Sequence, residues 1–372
     1  MISFGGANRR LGGFGSPRDY ATFKFPPTPR HDLRFDVALA SRDGDALAAT
    51  EGLVCLPPLV GDLREALAGA IRGRRAVILA DPTLPAADIA RVAIKAECHY
   101  LDIMESAVSS AAVGALEGDA RGAGVCLAPG CGLAPGYVTA LAAEALAAAG
   151  LHDEITVFVG VLPAKPENRL GYANIWGIEG LVGEYSSPCL ALRGGHLAEL
   201  PPLSELESIY LNGKEFEAFT TAGSLDALVR AHEGRVAGLS FKTLRFPGHL
   251  DYIRFLLDDL GLSKRLYQFR SLLATALPRI EDDHIIIALR RRTDAAESWA
   301  SRILEAVIDG NGQQVSAIST ATASHVCATL DLILGGDAAS GFVAPGVLLP
   351  AALRNSAFFC HLDPVGAASY AP

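Results

Sequence analysis

The stretch AVILADPTLPAADIARVAIKAECHYLDI, residues Ala76–Ile103, decides the fold. It begins with Ala76–Ala80, which is apolar at every position and is therefore typical of a strand buried on both faces of a sheet. A predicted helix, Ala86–Ala96, comes next, and His99–Ile103 predicts a second strand. Strands that alternate with helices in this way form βαβ units, so the stretch predicts a parallel sheet covered by helices on both faces.

The same alternation continues on both sides of this stretch. Further strands are predicted at Ile2–Phe4, Phe35–Ala40 and Gly124–Ala128, and further helices at Asp45–Thr50, Asp62–Ile71 and Ala107–Gly122. The front of the chain is therefore expected to form an α/β, nucleotide-type domain with a Rossmann-like parallel sheet.

The pattern changes after Gly130, and residues 163–250 contain short predicted strands and turns with few long helices. The predicted helices in this half are Thr139–Ala149, Leu250–Leu260, Tyr267–Leu277 and Thr322–Leu334, and the predicted strands are Ile155–Val161, His284–Leu289 and Val315–Thr320. We therefore expect a mixed-sheet α+β domain behind the first one, with the boundary near Ala134–Gly136.

Charge and composition exclude several classes of function. The chain has 372 residues, 32 basic and 41 acidic, and its net charge of −9 argues against nucleic acid as the main partner. No stretch approaches the roughly 20 uninterrupted apolar residues of a membrane-spanning helix. The seven cysteines are an odd number without a CxxC pair, which favours a reducing cytoplasm and offers no zinc-binding spacing. We expect a cytoplasmic protein without a membrane partner and without a metal site.

The glycine-rich start does not complete the dinucleotide-binding pattern GxGxxG from any choice of first glycine. The segment is either a surface loop or a remodelled phosphate loop. Ser41 and Arg42 follow the predicted strand Phe35–Ala40, where a ribose is bound in an intact site, and Arg42 favours NADP. A solvated turn explains the same two residues. The predicted cofactor-binding residues are Gly5, Gly6, Ser41, Arg42, Asp81 and Pro82.

Several segments further along the chain form a pattern by their order and spacing. They are HYLD from His99, GCGLAPG from Gly130, LGYANIWGIEGLVGEY from Leu170, EAFTTAGSLDAL from Glu217 and KTLRFPGH from Lys242. Together they resemble the saccharopine dehydrogenase-like family, and most closely its lysine 6-dehydrogenase-type bacterial branch. The missing GxGxxG pattern is the departure from that family.

The resemblance implies a Rossmann domain over residues 1–133 and 321–372, with the helix Thr322–Leu334 returning the chain to it, and a substrate-binding and dimerisation domain over residues 134–320. It implies an oxidoreductase that uses NAD or NADP to act on a C–N bond of a saccharopine- or lysine-type amino acid by hydride transfer through an imine. It also implies a homodimer. The alternative is a non-redox enzyme or amino-acid-binding protein that has lost the dinucleotide.

Such chemistry needs a proton-exchange group at the substrate nitrogen and a cation for the substrate carboxylate. Arg245 is the predicted carboxylate ligand, and Lys242 or His249 is the predicted proton-exchange group; structural pairing with acidic residues of the same domain is the alternative for all three. Asp102 ends a predicted strand and either meets a substrate ammonium or caps a helix.

The remaining candidates for substrate binding come from three segments, and each also has a structural explanation. They are Glu179, Cys131, Gly132, Pro135, Gly136 and Thr221. Cys131 is either a reactive thiol or a small buried residue, and the neighbouring glycines and proline either let the backbone approach a ligand or form an interdomain turn. Either Glu179 or Glu184 lines the site while the other pairs with Arg245, or both lie on a solvated face.

Overall fold

The computed structural model describes residues 2–4, 38–41, 54–56, 59–223, 225–309 and 312–363. These residues divide into two compact units. The first contains the described residues up to Ala140 together with Thr322–Cys360. The second contains Leu141–Ala321 and the described residues from His361 onward.

The first unit is built on a parallel sheet of seven strands in the order β3-β2-β1-β4-β5-β6-β17. The strands are β1 (Ile2–Phe4), β2 (Ala38–Ala40), β3 (Val54–Cys55), β4 (Ala76–Leu79), β5 (His99–Asp102), β6 (Cys126–Ala128) and β17 (Gly341–Phe342). Its first six strands follow the doubly wound order, in which the sequence reverses direction between β1 and β4.

Apolar side chains on both faces hold this sheet. Val77, Leu79 and Tyr100 pack on one face, against helices α1 (Leu63–Ala70), α2 (Ala86–Lys95), α3 (Ala107–Gly114) and α4 (Glu117–Gly122). Ile78 and Leu101 point to the other face, where Val326, Leu330 and Ile333 of α10 (Ala317–Gly335) cover them. A strand buried on both faces must be apolar at every position, which explains the sequence AVIL of β4.

The second unit is built on a mixed sheet whose main path runs β10-β11-β12-β7-β13-β14, with β8 and β9 attached to β12. The strands are β7 (Glu154–Pro163), β8 (Cys189–Arg193), β9 (His196–Leu200), β10 (Glu207–Leu211), β11 (Lys214–Thr220), β12 (Gly238–Arg245), β13 (Asp283–Arg292) and β14 (Glu297–Glu305), with a separate pair β15 (Val307–Ile308) and β16 (Gln314–Val315). β12 runs parallel to β7, and the other pairs in this sheet are antiparallel.

Helices cover one face of the second sheet. They are α6 (Ile178–Ser186), α8 (His249–Arg254), which continues as a π-helical turn over Phe255–Asp259, and α9 (Leu266–Ala276). Their apolar side chains form a cluster with Tyr172 and with Phe219 of β11. Phe158, Phe216 and Leu244 build a second cluster on strand residues. The remaining helices of the described chain are α5 (Tyr137–Ala147), α7 (Asp226–Ala231) and α11 (Pro350–Leu353), and 3-10 turns occupy Leu262–Lys264 and Ala357–His361.

The predicted fold class is confirmed: a parallel Rossmann-like sheet and a mixed sheet are both present, and the late helix belongs to the first unit from Thr322 onward. The strand predicted at Val315–Thr320 is wrong, because β16 ends at Val315 and α10 begins at Ala317. The helix predicted over Ala107–Gly122 is two helices that break at Ala115 and Leu116. The helix predicted at Asp45–Thr50 lies outside the described residues, and the domain boundaries stay predictions.

The helix α10 is long and apolar enough to cross a membrane by length and composition alone. However, 72% of its apolar 18-residue stretch is buried inside the protein, as in the core helix of a folded unit. It is the one such helix in the described part of the chain.

The start of α10 depends on a carboxylate from a distant strand. Asp283 of β13 is buried, and its two carboxylate oxygens accept the N–H groups of Ala317 at 2.5 Å and of Ile318 at 3.1 Å. The first N–H groups of a helix have no partner within the helix, so an acceptor placed there stabilises the helix start. This contact overrides the strand-like sequence of residues 315–320.

We predict that Asp283→Asn destabilises the second unit, because one N–H of α10 then faces an amide donor inside the protein. The expected loss is about 1–3 kcal/mol in the free energy of unfolding, measured by urea denaturation. Asp282→Asn is the matched control, since Asp282 is exposed and accepts a hydrogen bond from Gln314. Equal losses in the two variants would contradict the role given to Asp283.

Candidate functional site

A buried guanidinium is the centre of the polar cluster in the second unit. Arg245 is the last residue of β12 and is 2% exposed. Its Nε donates to the Tyr185 hydroxyl at 2.9 Å, and its NH1 donates to Thr243 Oγ1 at 2.5 Å and to the Leu244 carbonyl at 2.9 Å. A buried charge is costly unless hydrogen bonds hold it, so these contacts keep a permanent cation in place inside the unit.

Aromatic rings surround the same guanidinium. The Cζ atom of Arg245 lies 4.8 Å from the centre of the Tyr172 ring and 5.8 Å from the centre of the Tyr185 ring. Rings at this distance attract a cation through their electron-rich faces, and they also exclude water. The arrangement therefore gives a desolvated positive charge of fixed orientation, the kind of group that binds a planar carboxylate.

The hydrogen bonds around Tyr185 have one consistent direction. His249 Nδ1 lies 2.8 Å from the Leu170 carbonyl, which can only accept, so Nδ1 carries the proton. Nε2 of a neutral His249 therefore accepts from the Tyr185 hydroxyl at 2.8 Å, and the hydroxyl oxygen accepts from Arg245. This chain of bonds uses both nitrogens of the ring and locks Tyr185.

Burial and the nearby charge of Arg245 lower the pKa of His249 to about 3, so its ring is neutral at physiological pH. Glu217 of β11 holds the start of α8, because its carboxylate accepts the N–H groups of Gly248 at 2.6 Å and Leu250 at 3.1 Å. These contacts make His249 a positioning residue for Tyr185 and Arg245.

Glu184 of α6 is the carboxylate nearest to Arg245. Its Oε2 atom lies 3.5 Å from Arg245 NH2 and is buried without a hydrogen-bond partner. Burial raises the pKa of Glu184 to about 7, and the charge of Arg245 opposes that rise only in part. The distance makes the pairing loose, and burial favours the protonated carboxyl more than water does.

Lys242 does not join this cluster. Alternate residues of a strand point to opposite faces, and Lys242 lies three positions before Arg245. Its Nζ donates to Glu207 Oε1 at 2.7 Å and to the Glu205 carbonyl at 2.6 Å. Glu207 also accepts from both terminal nitrogens of Arg290, at 2.6 and 3.1 Å. Lys242 therefore belongs to a separate ion-pair network.

Two other predicted substrate residues lie near the Arg245 cluster in sequence but have different surroundings. Glu179 of α6 pairs loosely with Arg270, with 3.6 Å between Oε1 and Nε. Thr221 follows β11 and is buried, and its hydroxyl has no hydrogen-bond partner. Of the two glutamates that flank the GLVG segment, Glu184 is the one that pairs with Arg245.

In the first unit, Asp102 ends β5 and is completely buried. Its Oδ1 accepts the N–H groups of Gly130 at 2.8 Å and Met104 at 3.0 Å, and its Oδ2 accepts the Tyr100 hydroxyl at 2.7 Å. Burial raises the pKa of Asp102, and the two backbone N–H groups and the Tyr100 hydroxyl oppose the rise. Both carboxylate oxygens are occupied, so Asp102 positions the segment that begins at Gly130.

The same segment contains the other predicted residues of this unit. Cys131 is buried, burial raises the pKa of its thiol, and its Sγ donates to the Ala128 carbonyl at 3.1 Å, so it packs as a small buried residue. Its own carbonyl accepts from Nδ1 of His325 at 2.8 Å. A Cβ on Gly136, whose φ is 128°, would lie 2.0 Å from the Gly132 carbonyl oxygen, so only glycine fits there. Pro135 follows a cis peptide bond.

Those predicted cofactor residues that the structure describes lie at or just beyond the carboxyl ends of the parallel strands. The doubly wound strand order places the switch point between β1 and β4, where ligands of such sheets bind. Ser41 follows β2 and is buried, and Asp81 follows β4, accepting the N–H and hydroxyl of Thr83 at 2.8 and 2.6 Å. Pro82 is exposed beside it. Gly5, Gly6 and Arg42 lie outside the described residues.

No group of three or more histidine, cysteine or acidic side chains that could hold a metal ion occurs among the residues that the structure describes. The Arg245 cluster instead contains residues that the sequence analysis did not assign: Tyr172, Tyr185, Thr243 and Glu217. They come from the segments that begin at Leu170, Glu217 and Lys242, which converge on Arg245. The joint occurrence of these segments was the signal that could have identified them.

We predict that Asp102→Asn destabilises the first unit by about 2–4 kcal/mol, because an amide cannot accept all three hydrogen bonds. Tyr100→Phe removes only the bond to Oδ2, so we expect the smaller loss of about 1 kcal/mol. Urea denaturation of both variants measures the difference. A larger loss in Tyr100→Phe would contradict the positioning role of Asp102.

We predict that the His249 ring stays neutral, with its proton on Nδ1, down to pH 5, as measured by the nitrogen chemical shifts of the imidazole. Since its pKa falls from 6.5 to about 3 on folding, the unfolded chain binds more protons between these values. The contribution of His249 to stability is therefore lost as the pH falls through this window. Protonation near pH 6.5 in the folded protein would contradict the hydrogen-bond chain.

Comparisons with known proteins agree with this architecture. The chain resembles the solved structure of apo saccharopine dehydrogenase (L-Glu forming) from Saccharomyces cerevisiae with a TM-score of 0.69 at 14% identity, covering 100% of this chain and 98% of that one. It resembles homospermidine synthase from Legionella pneumophila, solved in complex with NAD, with a TM-score of 0.64 at 11% identity, covering 97% of this chain and 89% of that one. At these identities the likeness shows the fold.

The family is shown by the sequence itself. The sequence model of the saccharopine dehydrogenase C-terminal domain matches residues 132–358, which include the Arg245 cluster. Because this match spans more than half of the chain, the protein belongs to the saccharopine dehydrogenase C-terminal domain family.

Proposed function

We propose that this protein is an NAD(P)-dependent oxidoreductase that acts on a C–N bond of an amino acid, with a saccharopine- or lysine-type substrate. Family membership supports the oxidoreductase class, and the NAD bound in the homospermidine synthase structure supports a nicotinamide dinucleotide. The resemblance of the sequence segments to lysine 6-dehydrogenase-type proteins supports the narrower substrate class.

The observation that carries the proposal is the buried, oriented guanidinium of Arg245. Its Nε and NH1 are committed to Tyr185, Thr243 and Leu244, which fix the plane of the group. A guanidinium held in this way presents its remaining terminal nitrogen, NH2, as a charged donor of fixed orientation to a carboxylate, as an enzyme for amino acids requires. In the proposed mechanism Arg245 orients the substrate by its carboxylate, and Tyr172 and Tyr185 exclude water around the pair.

The described part of the first unit fits a dinucleotide. Its strand order is that of dinucleotide-binding sheets, and Ser41 and Asp81 stand at strand ends on the edge where such cofactors bind. When bound, the nicotinamide supplies the hydride acceptor or donor, and the protein supplies orientation.

The predicted roles of Lys242 and His249 in proton exchange have less support, because both side chains are held by other protein groups. A cytoplasmic location and a homodimer remain predictions that rest on the cysteine pattern and on the resemblance.

The second candidate function is an amino-acid-binding protein or non-redox enzyme that keeps the Arg245 cluster without using a dinucleotide. The incomplete glycine pattern in residues 5–18 favours it. Both candidates predict carboxylate binding at Arg245, so the cofactor is the property that separates them.

We predict saturable binding of NADH or NADPH to the purified protein, followed by nicotinamide fluorescence, and amino-acid-dependent reduction of NAD or NADP, followed by absorbance, with L-lysine and saccharopine as substrates. Arg245→Lys is expected to lower kcat/KM about 100-fold, because a flexible point charge replaces a planar cation whose orientation is fixed by Tyr185, Thr243 and Leu244.

The control for this variant is cofactor affinity, which Arg245→Lys is expected to leave unchanged because Arg245 is not among the predicted cofactor-binding residues. Absence of binding to both cofactors at millimolar concentration would overturn the oxidoreductase and leave the second candidate. Unchanged kcat/KM in Arg245→Lys would overturn the carboxylate assignment.

A further inference from the structure

We propose that Glu184 is a proton-linked counter-charge of Arg245, which neutralises the guanidinium in the free protein and takes up a proton when a substrate carboxylate binds there. The inference rests on the proposed function only in placing that carboxylate on Arg245. It assigns to Glu184 a positioning role that couples substrate binding to pH.

The geometry leaves one side of the guanidinium for the substrate. Nε and NH1 of Arg245 donate to Tyr185, Thr243 and Leu244 at 2.5 to 2.9 Å. NH2 faces Glu184 Oε2 at 3.5 Å, which is longer than a normal hydrogen bond, and that oxygen has no partner. An incoming carboxylate must therefore approach the guanidinium on the NH2 side, next to Glu184.

Two carboxylates at one guanidinium repel each other. In a desolvated site this repulsion raises the pKa of one of the pair until it holds a proton, as in paired catalytic carboxylates. Glu184 is the group that responds, because burial already raises its pKa to about 7. Once protonated, it becomes a hydrogen-bond donor to the bound carboxylate. Its side chain keeps 21% of its surface exposed, which allows proton exchange with solvent.

The other titratable groups around Glu184 do not compete for this proton. Burial raises the pKa of Tyr185, which stays a neutral donor, and lowers that of His249 to about 3, so its ring stays neutral. Cys189 of β8 is also affected by the charge of Glu184. Burial raises the pKa of its thiol, together with the charges of Asp226, Glu184 and Glu205, so it stays protonated. The cation next to Glu184 is Arg245, and the ring of Tyr172 packs against the Arg245 guanidinium.

The coupling has a definite sign. Below pH 7 Glu184 is already protonated in the free protein, and carboxylate binding is expected to be independent of pH. Above pH 7 each binding event takes up a proton, so the affinity falls as the pH rises. With a free pKa of about 7 and a higher one in the complex, the dissociation constant at pH 8 is about tenfold larger than at pH 6.

The test uses glutarate, a dicarboxylate without groups that titrate between pH 6 and 9, and isothermal titration calorimetry of the full chain. Titrations at pH 8 in buffers of different ionisation enthalpy measure the number of protons taken up. For the unmodified protein we expect about one proton and the tenfold loss of affinity between pH 6 and pH 8.

Glu184→Gln keeps the size of the side chain and removes the titration, so we expect no proton uptake and equal affinity at pH 6 and pH 8. Glu179→Gln is the matched control on the same helix, since Glu179 lies near Arg270, and it is expected to keep the proton uptake. Circular dichroism verifies that both variants are folded.

The outcomes separate this inference from the proposed function. Glutarate binding without proton uptake in the unmodified protein, or unchanged uptake in Glu184→Gln, overturns the coupling and leaves the oxidoreductase standing. Absence of glutarate binding at both pH values overturns the carboxylate assignment of Arg245 and the coupling with it. Loss of cofactor-dependent turnover with intact proton-linked binding overturns only the redox function.

Discussion

A positive charge buried beneath aromatic rings is the constraint on which the second unit depends. A buried guanidinium needs hydrogen-bond acceptors around it, and the protein provides them for Arg245 from separate parts of the chain. Tyr185 comes from a helix, Thr243 from the same strand, and Tyr172 from the loop before the helix. The family segments converge on Arg245 because each contributes part of the environment that makes the charge tolerable.

The residues that surround Arg245 are themselves held by further hydrogen bonds. His249 receives the Tyr185 hydroxyl and is itself held by the Leu170 carbonyl, while Glu217 anchors the helix that contains His249. These residues act on the guanidinium through Tyr185. Loss of any of them would release the Tyr185 hydroxyl and, with it, the orientation of the guanidinium. Glu184 differs from them, because its pairing with Arg245 is loose and its charge can change.

In the first unit a buried carboxylate, that of Asp102, holds neighbouring backbone in place. Asp102 lies at the end of a strand that is buried on both faces, and it joins the loop after β5 to the segment after β6 by accepting the N–H groups of Met104 and Gly130. Local sequence places Asp102 at the strand end, where either a ligand contact or a helix cap is expected, but Ser106 caps the next helix and Asp102 holds two loops instead. The choice between these roles depends on Gly130 and Tyr100, whose approach to the carboxylate is a product of the folded sheet. The same distinction applies to Lys242, whose alternation with Arg245 was visible in the sequence but whose partner Glu207 was not.

The sequence by itself determined the alternation of strands and helices, since the apolar run of β4 and the helices around it follow from burial on two faces. It also indicated the family segments, three of which contribute residues around Arg245, and it predicted Arg245 as the carboxylate ligand. The tertiary structure adds to the local cap by Ser316 at the start of α10, because a carboxylate from β13 accepts the N–H groups of Ala317 and Ile318. It alone decided that His249 is neutral and that Glu184, not Glu179, faces Arg245. Such properties depend on contacts between residues far apart in the chain and on the removal of water around them, and neither is encoded in local pattern.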